Sequence, residues 1–334
     1  MGGLLQLPPP PRRSRRPNTL RAPPTESPRP TVIGLRQLHT DVPTMPAGSG
    51  SLSDQGPAQA PAVRRVSSLR CGTRRPYSRY MGDKSTIEWT EATWNPTTGC
   101  DRISAGCDNC YALTLAKRLK AMGNAKYQLD GDPRTSGPGF GLAIHSDVLA
   151  LPYTWREPRR VFVNSMSDLF HARVPTDFVF EVFNVMVATP RHSYQILTKR
   201  PRRVARLASS LPWPKNVWMG VTVEDQETAW RADVLRDVPA AVRFISAEPL
   251  LGPVDLDLDG IDWLIAGGES GVGHRHIDPA WVDALQRACA SSGTAFFFKQ
   301  WGGRRPKSGG RLLRGRSWDE MPTPKLRAQA LVTV

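Results

Sequence analysis

From residue 161 onward the chain alternates short apolar runs with amphipathic stretches, and this alternation is what most narrows its possible folds. The runs are Val161-Phe-Val-Asn-Ser165, Tyr194-Gln-Ile-Leu-Thr198, Val217-Trp-Met-Gly-Val-Thr222, Val242-Arg-Phe-Ile-Ser246, Trp263-Leu-Ile-Ala266 and Ala295-Phe-Phe-Phe298. Each has the length and the β-branched or aromatic content of a buried strand. Between them lie predicted helices. Asp177 to Val187 follows Pro175-Thr176, with Thr176 as its N-cap. Arg202 to Leu207 follows Pro201, Asp225 to Asp237 follows Glu224, and Asp278 to Ser291 carries Pro279 at its first helical position. An earlier strand near Thr86–Trp89 and a helix over Ala112–Lys120 extend the series. Strands alternating with helices at this spacing form βα units and a parallel sheet. Six or seven such units predict an α/β fold, a full or partial (β/α) barrel, with a doubly wound open sheet as the alternative.

Ligand sites in parallel α/β proteins lie at the carboxyl ends of the strands. Those ends read Asn164-Ser-Met-Ser-Asp168, Thr198-Lys-Arg200, Thr222-Val-Glu224, Ser246-Ala-Glu-Pro249, Gly267-Gly-Glu-Ser270 and Lys299-Gln-Trp301. Loops are polar in any case, which covers about half of these positions. The recurrence of Glu224, Glu248 and Glu269 together with Lys199 and Lys299 points further, to a converging polar site. Gly267-Gly-Glu-Ser-Gly271 could turn backbone N–H groups toward an anion or could be a tight turn; it lacks the spacing of a dinucleotide fingerprint.

Three of the five cysteines crowd into eleven residues, at Cys100, Cys107 and Cys110. Three thiolates on one glycine-bounded loop suit a soft metal or an iron–sulfur cluster and leave one coordination position open. Structural zinc wants a fourth ligand, for which Cys71, His145 or His171 is available, but no partner pair stands at zinc-finger spacing. A thioredoxin-like pairing of Cys107 and Cys110 would leave Cys100 unexplained. Cys289 falls on a predicted helix and reads as core, and His274 and His276 read as exposed loop residues.

The extreme charge belongs to the first 80 residues, which hold thirteen Arg, no Lys, three acidic residues and fourteen of 31 prolines. The remainder carries 32 basic against 27 acidic residues, so its charge is nearly balanced. Residues 1–80 therefore read as a disordered Pro/Arg-rich leader, either a transit peptide or the product of a translation start set too far upstream of Met81. Residues 81–322 read as a single barrel-like domain with an N-terminal cysteine-rich loop, and 323–334 as a tail. No apolar run has membrane-spanning length, so no membrane is expected, and cytoplasmic placement with metal or redox use of the thiols is. The clusters Lys199–Arg206 and Arg304–Arg316, near Trp213, Trp218, Trp301 and Trp318, could serve a nucleic acid or form solvated faces.

Several ordered stretches together resemble a known family. They are Trp94-Asn-Pro-Thr-Thr-Gly-Cys100, Gly106-Cys-Asp-Asn-Cys-Tyr-Ala112, Val163-Asn-Ser-Met-Ser-Asp-Leu-Phe170, Leu197-Thr-Lys-Arg-Pro201, Gly220-Val-Thr-Val-Glu-Asp-Gln226, Ala247-Glu-Pro-Leu-Leu-Gly-Pro253, Gly267-Gly-Glu-Ser-Gly271 and Phe297-Phe-Lys-Gln-Trp-Gly302. Over about Thr86 to Pro322 the chain resembles the phage-associated three-cysteine-motif family, which is itself distantly similar to the radical S-adenosylmethionine superfamily. That resemblance implies a [4Fe–4S] cluster on Cys100, Cys107 and Cys110, with S-adenosylmethionine on the open iron as the source of a 5′-deoxyadenosyl radical. The first gap here is six residues where the superfamily usually has three, and Asn109 stands where an aromatic is usual. On strand-end position, Ser165, Asp168, Glu248, Gly267, Gly268 and Glu269 are expected to grip the cofactor. Lys199, Glu224 and Lys299, as catalytic residues, and Trp301 are expected to face the substrate. The phage association and basic clusters suggest a nucleic-acid substrate and leave room for a partner protein encoded nearby. The alternative is a non-catalytic nucleic-acid-binding protein stapled by zinc or a cluster.

Overall fold

The computed structural model describes residues 85–325; the expected leader, Cys71 and the end of the tail lie outside the described residues. In chain order the strands are β1 (Ala92–Trp94), β2 (Thr97–Thr98), β3 (Ala143–Ile144), β4 (Arg160–Val163), β5 (Ser193–Thr198), β6 (Val217–Thr222), β7 (Val242–Ala247), β8 (Trp263–Gly267) and β9 (Ala295–Gln300). The helices are α1 (Tyr111–Ala121), α2 (Leu151–Thr154), α3 (Thr176–Ala188), α4 (Pro201–Leu207), α5 (Trp230–Arg236) and α6 (Pro279–Ser292). Seven strands form one sheet in the order β1-β4-β5-β6-β7-β8-β9, every pairing parallel, while β2 and β3 make a separate antiparallel pair. Strand order follows chain order without reversal, so the sheet winds in one direction as an open, partial (β/α) barrel with β1 and β9 at its edges.

Pleating sorts the side chains of this sheet into two cores. Val161, Val163, Ile196, Met219, Val221, Ile245, Leu264, Ala266, Phe296 and Phe298 pack with the helices in the larger one. Residues of the other parity, Phe162, Trp218, Phe244, Trp263, Ile265 and Phe297, pack with Trp89 on the inner face. Trp263 is the hub, with ring centroids 5.6–6.2 Å from Phe244, Phe297, Trp89 and Trp218. Edge-to-face pairs of this kind contribute about 0.5–1.5 kcal/mol each beyond area burial. The aromatic layer occupies the amino-terminal half of the inner face and forms a floor. Toward the carboxyl ends the same inward positions become Asn95, Asn164, Thr222, Ser246, Glu248 and Lys299, all of which line a cavity.

Helix boundaries follow local chemistry. In α6 Asp278 accepts from the Ala280 N–H at 2.8 Å, Pro279 occupies the first position as expected, and Gly293 closes the helix at φ 72°. Pro175, rather than Thr176, caps α3. The helix expected over Asp225–Asp237 is divided. An Asp225–Thr228 capping box closes a one-turn 3-10 segment, Gln226–Thr228, before α5 begins at Trp230. The first strand is also displaced. Thr86–Trp89 is not a strand but runs into a turn, with the Thr90 N–H on the Ile87 carbonyl, and the sheet edge is Ala92–Trp94. Trp89 is instead spent on the inner aromatic floor.

Candidate active site

The cysteine loop leaves the carboxyl end of β1 and crosses the open end of the sheet before entering α1. Cys100, Cys107 and Cys110 all line one cavity of about 770 Å³ that also contains Ser165, Asp168, Lys199, Glu248, Gly268, Glu269 and Lys299. Cys107 is buried, and the other two are half-buried. Burial pushes the Cys100 thiol up to about 12, with Asp168 adding to the rise and Arg200 opposing it. Burial likewise raises Cys110, which stands at the N-cap of α1, where the N–H groups of Ala112 and Leu113 pull the other way. Thiols raised in this way give up a proton when they ligate a metal, so metal binding at Cys100 and Cys110 is coupled to proton release.

The loop is fastened at several points. Asp101 accepts from Thr135 and Ser136 at 2.9 and 3.2 Å, and pairs with His171 at 2.9 Å and Arg173 at 3.1 Å. Burial alone would raise this carboxyl, but the bonds from His171 and Thr135 outweigh it and hold it below its ordinary value. Ser104 donates to Glu224 Oε1 at 2.8 Å. Arg275 donates to both oxygens of Glu269 and to the Ala105 carbonyl, and stands 3.5 Å from Asp108. Asn109 Nδ2 reaches Glu269 Oε2 at 2.9 Å and the Gly273 carbonyl at 3.1 Å. Burial works to raise the Glu269 carboxyl, but the bonds from Arg275 and Asn109 bring it below its usual value. The long gap between Cys100 and Cys107 is thus laced to the segment after β6, to the β8–α6 loop and to the segment after β4.

The acidic strand ends divide into different roles. Glu224 is fully buried behind the cavity wall, ion-paired with Lys199 at 2.9 Å and Arg231 at 3.3 Å. Where a substrate-facing carboxylate was expected, the structure has an anchor for Ser104. Glu269, also expected as a cofactor contact, lines the cavity but has both oxygens engaged by Arg275 and Asn109. Glu248 is available differently: it lines the cavity, paired with Lys299 at 2.9 Å and bonded to Ser246 at 3.1 Å. Asp168 accepts from Thr198, the Phe170 and Lys199 N–H groups and Arg200, at 2.7–3.1 Å. Ser165 bonds Asn95 Oδ1, and its carbonyl accepts from the Tyr111 hydroxyl. Gly268 lies so close to Trp301 that a Cβ would stand 2.2 Å from the Trp301 carbonyl. Gly267 and Trp301 are outside the lining. Trp301 packs on Phe298 and donates to Leu312.

Sequence reasoning missed Asn95, Ser104, Arg231 and Arg275, and it quoted Asn164 and Arg200 at the strand ends without giving them a role. Asn164 carried a usable signal, an Asn directly after a strand; it takes φ 60°, and its Oδ1 receives the Thr97 N–H. The basic clusters are largely committed. Lys199 and Arg200 turn inward, Arg203 donates to the His171 and Val174 carbonyls, Arg311 pairs with Asp319, and Arg316 lies over Trp318. Arg202 stacks on Trp230 while remaining exposed, and Arg206, Arg304 and Arg305 are exposed. Trp218 and Trp318 are core, and Trp213 is packed against it.

Three thiols with one coordination position to spare fit a cluster that carries a further ligand. Of the fourth zinc ligands considered from sequence, His145 bonds Thr98 at 2.8 Å and His171 bonds Asp101, while Cys71 lies outside the described residues. Among the described residues, no group of three or more His, Cys, Asp and Glu side chains is arranged to hold a single metal ion. No helix of the described residues is long and apolar enough to cross a membrane.

A sequence profile described as "Protein of unknown function (DUF5131)" matches residues 84–322, and the chain belongs to that family. None of the curated proteins compared with it matches. Among solved structures, a Cys-to-Ser mutant of spore photoproduct lyase matches at 15% identity and a TM-score of 0.40, covering 66% of each chain. A Tyr-to-Phe mutant matches at 12% and 0.44, covering 67% of this chain and 80% of the other. A double mutant with bound AdoMet and dinucleoside spore photoproduct matches at 14% and 0.38, covering 64% and 65%. The chain spans just under two thirds of the length of the first of these.

Proposed function

We propose that this member of the DUF5131 family is an iron–sulfur enzyme of the radical S-adenosylmethionine type. One observation carries the reading: a three-cysteine loop, leaving the first strand of an open parallel barrel, lines a cavity at the carboxyl ends of the strands. Cys100, Cys107 and Cys110 would hold a [4Fe–4S] cluster, and the cavity they line would also take S-adenosylmethionine. Bound there, the pair would supply one-electron cleavage chemistry that ordinary side chains lack.

The chain's own residues supply binding and exclusion of water. Lys299 and Glu248 present a paired cation and anion to the cavity, and Ser165, Asp168 and the Gly268–Glu269 turn form its polar rim. Leu113, Leu115, Leu119, Tyr127, Phe140 and Met166 form one apolar cluster in the lining, packed beside Cys100 and Cys110. An apolar, recessed chamber shelters reactive intermediates from solvent. We favour a nucleic acid as the substrate class, with Arg202, Arg206, Arg304 and Arg305 among the exposed cations that would meet a phosphate backbone.

Anaerobic purification followed by iron, sulfide and zinc analysis tests the reading. We expect iron and sulfide that are lost in Cys100→Ser, Cys107→Ser and Cys110→Ser but kept in Cys289→Ser, whose thiol is buried in the helix-packed core. With reductant and S-adenosylmethionine, the loaded protein is expected to release 5′-deoxyadenosine. A colourless, zinc-loaded protein would refute the proposal.

A further inference from the structure

One guanidinium stands directly against the cysteine set, and nothing in the family assignment gives it a role. Arg200 follows β5 and caps α4. Its Nη1 lies 3.4 Å from Cys100 Sγ and 2.9 Å from Asp168 Oδ2, and its Nη2 donates to the Asp101 carbonyl at 3.0 Å. The side chain is mostly buried, and Pro201 begins the helix directly after it.

The fork is held on every side. Asp168 is itself fixed by the Thr198 hydroxyl and by two backbone N–H groups, and Thr198 Oγ1 accepts from the Arg200 N–H at 2.9 Å. A planar guanidinium so oriented keeps its direction as charge near it changes, which a flexible ammonium does not. Hydrogen bonds to ligand sulfurs and nearby net charge set the reduction potential of iron–sulfur clusters. Arg200 and Asp168 act on the same sulfur with opposite signs. A cation with an N–H toward sulfur favours the more negative, reduced state, and a carboxylate disfavours it.

We propose that Arg200 is a positioning residue that orients the Cys100 sulfur and raises the reduction potential of the group bound there, with Asp168 as its counterweight. The proposal rests on the iron–sulfur reading above. It requires neither a particular substrate nor turnover.

The test is an anaerobic redox titration of the purified full-length protein, followed by electron paramagnetic resonance, beside the rate of iron loss to a chelator. Arg200→Gln is expected to lower the midpoint potential and speed iron loss. Asp168→Asn is expected to raise the potential, and Arg200→Lys to fall between Arg200→Gln and the parent. Removing one partner of a buried ion pair can also unfold a protein. The double variant Arg200→Gln/Asp168→Asn therefore removes both charges together and is expected to return the potential toward the parent value. Potentials that shift in the same direction in both single variants, or in neither, would overturn the proposal while leaving the iron–sulfur reading intact. A parent protein without iron or sulfide would overturn both.

Discussion

Replacing Gly106 by alanine probes a close approach between the cysteine loop and the barrel. An added Cβ would stand 2.4 Å from Glu224 Oε1 and 2.7 Å from both Cδ and Cγ, where ordinary contact begins near 3.4 Å. The carboxylate cannot simply retreat, because Lys199, Arg231 and Ser104 hold it and it is fully buried. Either the loop moves by about 1 Å or one of those bonds breaks. Overpacking of this kind costs about 1–3 kcal/mol, and a lost bond to a charged group about 1.5–3 more. For a domain of this size each kcal/mol lowers the melting temperature by about 2–4 °C, so overpacking alone predicts a fall of roughly 2–12 °C. Differential scanning calorimetry of the metal-free protein reads that fall. Iron stoichiometry after anaerobic reconstitution reads the displacement of Cys107, the next residue. Combining Gly106→Ala with Glu224→Asp, which withdraws one methylene, is expected to cost less than the sum of the single changes. If Gly106→Ala keeps the parent melting temperature and full iron content, the inferred contact between the loop and Glu224 is wrong.

Two further outcomes are expected. Because the Glu269 carboxyl lies below its ordinary 4.5 when folded, its stabilisation is complete above that pH and fades as the pH falls through the folded value. Urea midpoints of the metal-free protein between pH 6 and 3 should therefore drop more steeply in the parent than in Glu269→Gln, and parallel curves would remove Glu269 as the latch. A chain beginning at Met81 is expected to match the full chain in melting temperature and iron content; loss of either would give residues 1–80 a structural role.

Much of the sheet could be read in advance because buried parallel strands are continuous apolar runs, and Val217–Thr222 was expected with its observed ends. Pro279 marked the start of α6 for an equally local reason. The first strand failed on length. Three residues, Ala92–Trp94, carry too little pattern to outweigh the aromatic, strand-like Ile87-Glu-Trp89 nearby. At the site, the strand-end rule located the polar residues but not their tasks. Glu224 and Glu248 both follow a strand and look alike in sequence. One finds Ser104 across 120 positions of chain and disappears behind the wall, while the other keeps Lys299 at the cavity. Arg275 was invisible for the same reason, since its meaning lies in Ala105 and Glu269, contacts that no local pattern encodes.

The two parities of the sheet have a consequence for how such a protein can change. Outward residues support the helices and inward residues make first the aromatic floor and then the chamber rim. Substitutions at the inward strand ends can therefore rewrite what the chamber accepts while the shell that keeps it folded goes untouched. Single-residue insertions or deletions within a strand offer no such freedom, because they exchange the two alphabets at once, sending helix-facing side chains into the chamber and chamber side chains into the shell. Drift by substitution is open to this architecture, and drift by length is confined to its loops.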